Sequence, residues 1–108
     1  MPTTQILLDL GCGEGFFAKV FSKEGWKTTL VDFSDDGLSR HNPSLLKNFI
    51  QSDLMTYIEN KREELSVFDV INLDNVLEHV IDPVGLLSNL KSNMQSDAIL
   101  RIEVPNDF

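Results

Sequence analysis

A glycine-rich stretch at residues 9–15 has the residue types that best suit ligand binding. It reads D-L-G-C-G-E-G and lies between an apolar run and an amphipathic segment. Glycines permit positive φ and let a ligand approach the bare backbone, and a helix that begins there offers unpaired N–H groups. The spacing is G-x-G-x-G, not the dinucleotide pattern G-x-G-x-x-G, because residue 16 is Phe. The stretch therefore predicts a ligand loop that does not mainly cradle phosphate.

Carboxylates stand where the apolar runs end. Asp32 closes the second run, and its distance along the chain from the glycines is near the spacing at which an acidic residue accepts from both ribose hydroxyls. A solvated loop acid or a helix cap is the alternative for Asp32. Because the carboxyl ends of parallel strands share one edge, Asp9, Asp32, Asp53 and Asp74 are expected to line one crevice. Such a crevice suits a cationic ligand that contains a ribose.

Strands and helices are predicted to alternate along the chain. Apolar runs predict five strands at residues 5–10, 28–31, 49–53, 68–73 and 98–104, of which the third is the weakest. Helices are predicted after Gly15, from an N-cap at Ser34, over residues 54–64, and from the cap pair Asp82 and Pro83. This order predicts an α/β, Rossmann-like three-layer sandwich with a mostly parallel sheet of about five strands and right-handed crossovers.

Length and charge narrow the classes of partner. A chain of 108 residues with a net charge of −8 fits one domain and disfavours nucleic acid, which needs clustered cations. The single cysteine, Cys12, cannot form an internal disulfide, and no run of eighteen apolar residues predicts a membrane span. We therefore predict a cytoplasmic protein that binds a small molecule and has neither nucleic acid nor a membrane as partner.

Four ordered motifs resemble those of class I S-adenosylmethionine-dependent methyltransferases. Leu77-Glu78-His79-Val80 followed by Asp82-Pro83 is most similar to the branch that contains ubiquinone-biosynthesis and related small-molecule methyltransferases. The resemblance covers residues 5–106 and implies S-adenosylmethionine as cofactor and methyl transfer to a small-molecule acceptor. The motifs are residues 9–15, 31–34, 52–54 and 68–83.

The resemblance implies one set of residues for the methionine part of the cofactor. Gly11, Cys12 and Gly13 would pass under it, and Asp9 would order the loop or face the ammonium group. No second ligand supports a reactive or metal-binding role for Cys12. The other residues implied near the methionine part are Leu73 and Asp74.

A second set is implied for the adenosine part. Asp32 would accept from the ribose hydroxyls, and Phe33 would flank the adenine. Asp53 would accept from the adenine amino group, with Leu54 beside it. These residues all lie at or just after predicted strand ends.

His79 is the candidate catalytic base, because a hydroxyl acceptor must lose a proton and histidine titrates near neutral pH. The alternative is that His79 bonds a backbone carbonyl and orients its segment. Some quinone-pathway relatives are thought to place a divalent metal here, but this chain has Asn75 where they carry Glu. No metal is predicted, since Glu78 and His79 make a poor magnesium site unless Asp74 joins them.

Two other functions stay open at this point. The chain could be a noncatalytic module that binds a nucleotide cofactor or serves as a scaffold. It could also be an NAD-dependent oxidoreductase domain, although the glycine spacing disfavours this alternative. Residues 1–108 are expected to form the cofactor-binding core without the last two strands of the family's seven-stranded sheet. The fifth strand would then be an exposed edge through which association is predicted.

Overall fold

The computed structural model describes residues 5–105. Three short 3₁₀ helices at Pro43–Asn48, Arg62–Val67 and Leu77–His79 join the main elements. The main elements alternate as strands and helices: β1 Ile6–Leu10, α1 Phe16–Lys23, β2 Lys27–Asp32, α2 Asp36–His41, β3 Phe49–Gln51, α3 Leu54–Asn60, β4 Val70–Asp74, α4 Pro83–Asn93 and β5 Ile99–Glu103.

The five strands form one parallel sheet in the order β3-β2-β1-β4-β5. Successive strands run outward from β1 to β3, and the chain then returns to the other side of β1 for β4 and β5. The strand order therefore reverses between β1 and β4, which is where open parallel sheets bind ligands, beyond the carboxyl ends of the strands. The predicted Rossmann-like α/β fold is confirmed.

Two apolar layers cover the sheet. Leu8 and Leu10 of β1 pack with residues of α3 and α4, whereas Leu7 packs on the other face with residues of α1 and α2. Burial on both faces explains the nearly continuous apolar runs of the central strands. Asp9 and Asn72 interrupt this pattern because they are polar and almost fully buried.

Several boundaries differ from the sequence-based expectation. The predicted helix over residues 54–64 divides, because α3 ends at Asn60 and a 3₁₀ helix then buries Leu65 in the core. Ser34 does not cap α2 directly: the helix begins at Asp36, whose N–H donates to Ser34 Oγ at 3.1 Å. The third strand, which was predicted to run to Asp53, ends at Gln51.

β5 lies at one end of the sheet, with Ile99 and Ile102 exposed. Association through this strand stays a prediction. Among residues 5–105, no helix combines the length and the apolar character that crossing a membrane requires.

Candidate functional site

The glycine loop is held tightly where it leaves β1. The N–H groups of Gly11 and Cys12 both donate to the carbonyl of Val31 in β2, at 2.7 and 3.1 Å. Gly11 has φ +80°, and a Cβ built there would lie 2.5 Å from Cγ2 of Val76. Only glycine fits this position, because a side chain would meet both an unfavourable φ and a buried neighbour. The loop is thus fixed between β2 and the segment after β4.

Asp32 connects the end of β2 to the glycine loop. Its Oδ2 accepts from the N–H of Gly13 at 2.9 Å, and its Oδ1 accepts from the N–H of Phe33 at 2.8 Å. Asp32 is therefore neither a freely solvated acid nor the cap of α2, which begins later along the chain. Its carboxylate lies directly beside the loop that a ligand would approach.

A cavity of about 830 Å³ lies over the carboxyl ends of the strands. The structure brings eight of the predicted site residues to its walls: Gly11, Gly13, Asp32, Phe33, Asp53, Leu54, Asp74 and His79. Further walls come from the segment after β4 and the start of α4: Asn75, Val76, Val80, Ile81, Asp82 and Leu86.

Two side chains at this cavity suit a flat, polar-edged group. Phe33 is 77% exposed, which is unusual for a large aromatic side chain and leaves its ring able to stack. Asp53 caps α3, because its Oδ2 accepts from Thr56 N and Oγ1, both at 3.1 Å. Its Oδ1 makes no hydrogen bond to any described residue, so this oxygen can accept from a ligand.

A smaller cavity of about 330 Å³ adjoins the first and shares Gly11, Gly13, Asp74 and Asn75 with it. Asp9 and Cys12 line only the smaller one. Of the predicted methionine-side residues, Asp9 and Cys12 therefore lie apart from the adenosine-side residues, whereas Gly11, Gly13 and Asp74 line both cavities.

Asp9 is 1% exposed and receives one hydrogen bond, from Nδ2 of Asn72 to its Oδ1 at 3.0 Å. Burial raises the pKa of Asp9 to about 6, while the Asn72 hydrogen bond and the charge of Arg101 oppose that rise. A carboxyl group with this pKa is mainly ionised at neutral pH. Its buried negative charge is thus available to a cation in the smaller cavity.

Asp74 and Glu103 stand side by side at the ends of β4 and β5. Burial and the adjacent Glu103 raise the pKa of Asp74, whereas hydrogen bonds from Asp74 and Arg101 lower the pKa of Glu103. Asp74 Oδ1 is buried and has no hydrogen-bond partner among the described residues.

Leu73 and Cys12 are both buried. The side chain of Leu73, which was predicted near the methionine part, is fully buried in the core and lines neither cavity. It points to the face opposite Asp74 because side chains alternate along a strand. Burial raises the pKa of the Cys12 thiol to about 12, so it stays protonated at neutral pH.

His79 is exposed at the wall of the larger cavity, with its Nε2 3.9 Å from Glu78 Oε2. Its side chain makes no hydrogen bond to a backbone carbonyl of the described residues, so the alternative orienting role finds no partner there. Within residues 5–105, His, Cys, Asp and Glu side chains form no group of three or more suited to holding a metal ion.

The sequence analysis did not identify the residues of β4 and β5 that connect to Asp9 through hydrogen bonds. Asn72 was visible as a polar residue inside an apolar strand, but its link to Asp9 depends on strand pairing. Arg101 and Glu103 alternate on β5, and only the register with β4 brings them to Asn72 and Asp74. Asn75 has φ +57°, a left-handed turn that Asn tolerates and that redirects the chain along the cavity.

The fold and its two adjoining cavities at the switch point define a Rossmann-like domain with a candidate ligand site beyond its strand ends. A family model described as a methyltransferase domain matches residues 2–108. The chain therefore belongs to the methyltransferase domain family, as the motifs predicted. This membership argues against the NAD-dependent oxidoreductase alternative.

Similar proteins agree with this assignment. The chain is 28% identical over 100 residues to the ubiquinone biosynthesis O-methyltransferase of Actinobacillus pleuropneumoniae serotype 7 (strain AP76), covering 87% of this chain and 43% of that protein. It is 31% identical over 86 residues to the enzyme of that name in Vibrio vulnificus (strain YJ016), covering 75% and 35%. The chain thus spans less than half the length of these relatives.

Solved structures show the same arrangement. A SAM-dependent methyltransferase from Archaeoglobus fulgidus superposes with a TM-score of 0.80 and 27% identity, covering 95% of this chain and 46% of that chain. The plantazolicin methyltransferase BpumL in complex with SAH gives 0.71 and 26%, covering 94% and 39%.

Proposed function

We propose that this chain is the cofactor-binding core of a methyltransferase that transfers a methyl group from S-adenosylmethionine to a small-molecule acceptor. The observation that carries the proposal is the bonding of Asp32 to the glycine loop at the wall of the larger cavity. Family membership, the relatives' printed activities and a similar structure in complex with SAH support it.

The residues present fit the chemical parts of this cofactor. Asp32 offers two carboxylate oxygens to ribose hydroxyls, and Phe33 offers an exposed ring to the adenine. Asp53 Oδ1 accepts from the adenine amino group, with Leu54 beside it. Asp9 offers a buried carboxylate to the ammonium group in the smaller cavity.

When bound, S-adenosylmethionine supplies an electrophilic methyl group on a sulfonium sulfur. The protein contributes mainly alignment, which is worth up to about 7–11 kcal/mol in the best oriented cases. The acidic walls favour a cation in the site, and an acceptor in the larger cavity would meet His79 and Ile81, which also line it. No covalent intermediate with the chain is needed.

Binding selectivity tests the proposal. Calorimetric titration with S-adenosylhomocysteine (SAH) is expected to show saturable binding, whereas NAD is expected to show none because the glycine loop lacks the dinucleotide spacing. Saturable binding of NAD alone would contradict the proposal. SAH binding without methyl transfer by the whole protein would instead favour the noncatalytic module.

His79 is the proposed base for a hydroxyl acceptor. Its imidazole would take the acceptor's proton as the oxygen attacks the methyl carbon. The His79→Gln variant is expected to transfer methyl groups about a hundredfold more slowly, at the low end for general bases, while SAH affinity stays unchanged. Steady-state rates of the whole protein measure this loss, and His41→Gln is the matched control because His41 lines neither cavity. Equal rates for wild type and His79→Gln would exclude the role.

A further inference from the structure

A row of polar side chains crosses the sheet behind the smaller cavity. Asp9 of β1, Asn72 of β4 and Arg101 of β5 are in register, so their side chains share one face of the sheet. Asn72 Nδ2 donates to Asp9 Oδ1 at 3.0 Å, and Arg101 Nη1 donates to Asn72 Oδ1 at 2.7 Å. A continuous path of hydrogen bonds therefore joins the edge strand to the buried carboxylate.

The guanidinium group of Arg101 determines the direction of the hydrogen bonds in this row. A guanidinium group has donors and no acceptor, so Asn72 must turn its carbonyl oxygen toward Arg101. The amide nitrogen of Asn72 is then left to face Asp9, which must accept at Oδ1. Asp9 Oδ2 makes no hydrogen bond to a described residue, and Asp9 lines the smaller cavity. One oxygen is thus held by the protein while the other can meet a ligand.

Arg101 is itself held from two further sides. Its Nη2 donates to Glu103 Oε2 at 3.1 Å, and its guanidinium carbon lies 4.6 Å from the centre of the Phe17 ring. Arg101 lines neither cavity. It therefore makes no direct contact with a ligand in either cavity and acts through neighbouring residues.

The charges around Asp9 give Arg101 a second effect. The charged or ionisable side chains that face Asp9 from neighbouring elements are Asp32 on β2, Cys12 in the loop, Asp74 on β4 and Arg101 on β5. Arg101 is the cation of this set. Without it, Asp9 would face only acidic neighbours and its ionised form would be less favourable.

We propose that Arg101, acting through Asn72, is a positioning residue that keeps Asp9 as an ionised, correctly oriented acceptor for the ammonium group of the cofactor's methionine part. The inference rests on the proposed function and adds to it a residue on β5 that touches no ligand.

Two ligands separate this role from a general effect on the fold. SAH carries the amino acid part, whereas 5′-methylthioadenosine keeps the adenosine and thioether but lacks the ammonium and carboxylate groups. The Arg101→Leu variant is expected to bind SAH about tenfold more weakly at pH 7.5, the size of a lost charge-assisted interaction. Calorimetry should show 5′-methylthioadenosine affinity changed by less than about twofold, within the range of surface substitutions. Arg40→Leu, at an exposed arginine paired with Asp36, is the matched control.

The pH profile is the second measurement. The ionised form of Asp9 binds the ammonium group, so wild-type SAH affinity should be constant above the Asp9 pKa of about 6 and fall below it. The midpoint of that fall should move to higher pH in Arg101→Leu, since removing the cation raises the pKa of Asp9. Arg101→Lys keeps the charge and one donor, so it should restore most of the affinity and the midpoint. If Arg101→Leu does not fold, the affinity and pH midpoint of Arg101→Lys can still be compared with those of the wild type.

The outcomes distinguish the inference from the function on which it rests. Wild-type protein that binds neither ligand would overturn the cofactor assignment and the inference with it. Wild-type binding of SAH with an unchanged affinity and pH midpoint in the Arg101 variants would overturn the inference alone. Equal weakening of both ligands would also overturn it, because the effect would then lie in the adenosine site or the fold.

Discussion

The Asp32→Ala variant is expected to bind SAH about a thousandfold more weakly than the wild type, because two charge-assisted hydrogen bonds at about 1.5–3 kcal/mol each would be lost. The same carboxylate accepts from the backbone of Gly13 and Phe33, so its removal also leaves the Gly13 N–H of the glycine loop without this partner. Both bonds are exposed, and water can replace the carboxylate there. The loss should therefore appear in calorimetric affinity and leave thermal unfolding nearly unchanged.

Asp35→Ala is the matched control for this experiment. Asp35 is exposed, makes no side-chain hydrogen bond at the start of α2, and its replacement changes the net charge by the same amount. If the two variants lose affinity equally, the effect is one of overall charge and Asp32 has no direct contact with the ligand. A folded Asp32→Ala variant with wild-type affinity would remove the main support for the ribose site.

Much of the fold follows from features that are local in the sequence. The apolar runs predicted each strand to within a few residues, because strands covered on both faces are apolar at most positions. The strand-end acids could also be placed together, since parallel strands end at a common edge. Asp32, Asp53 and Asp74 line one cavity for this reason.

The contacts that could not be predicted from the sequence depend on pairing between strands that are distant along the chain. The contact of Arg101 with Asn72 exists because β5 lies beside β4 in one particular register. A slip of one residue would turn Arg101 to the opposite face. The side chain of Leu73 lies in the core while that of Asp74 lines both cavities, because neighbouring strand positions face opposite sides of the sheet. The division of the predicted helix at Asn60 follows from the tertiary burial of Leu65, which propensity does not encode.

The Gly11→Ala variant is expected to lose about 3 kcal/mol of unfolding free energy, which combines a positive-φ penalty of about 1–2 kcal/mol with overpacking of about 1–3 kcal/mol against Val76. A loss of this size lowers the Tm of a domain near 100 residues by more than about 10 °C. Thermal and denaturant unfolding measure it. SAH affinity should fall as well, because the loop must shift away from the N–H contacts with Val31.

Gly25→Ala isolates the two causes of that loss. Gly25 also has a positive φ, +90°, but a Cβ there has no neighbour within 4 Å, so only the conformational penalty of about 1–2 kcal/mol applies. In Gly11→Ala, adding Val76→Ala removes the obstructing methyl group. The double variant should be more stable than the sum of the two single losses predicts, by about 1–2 kcal/mol. Strict additivity, or equal losses at positions 11 and 25, would show that contact with Val76 does not limit residue 11, and that backbone conformation alone requires glycine there.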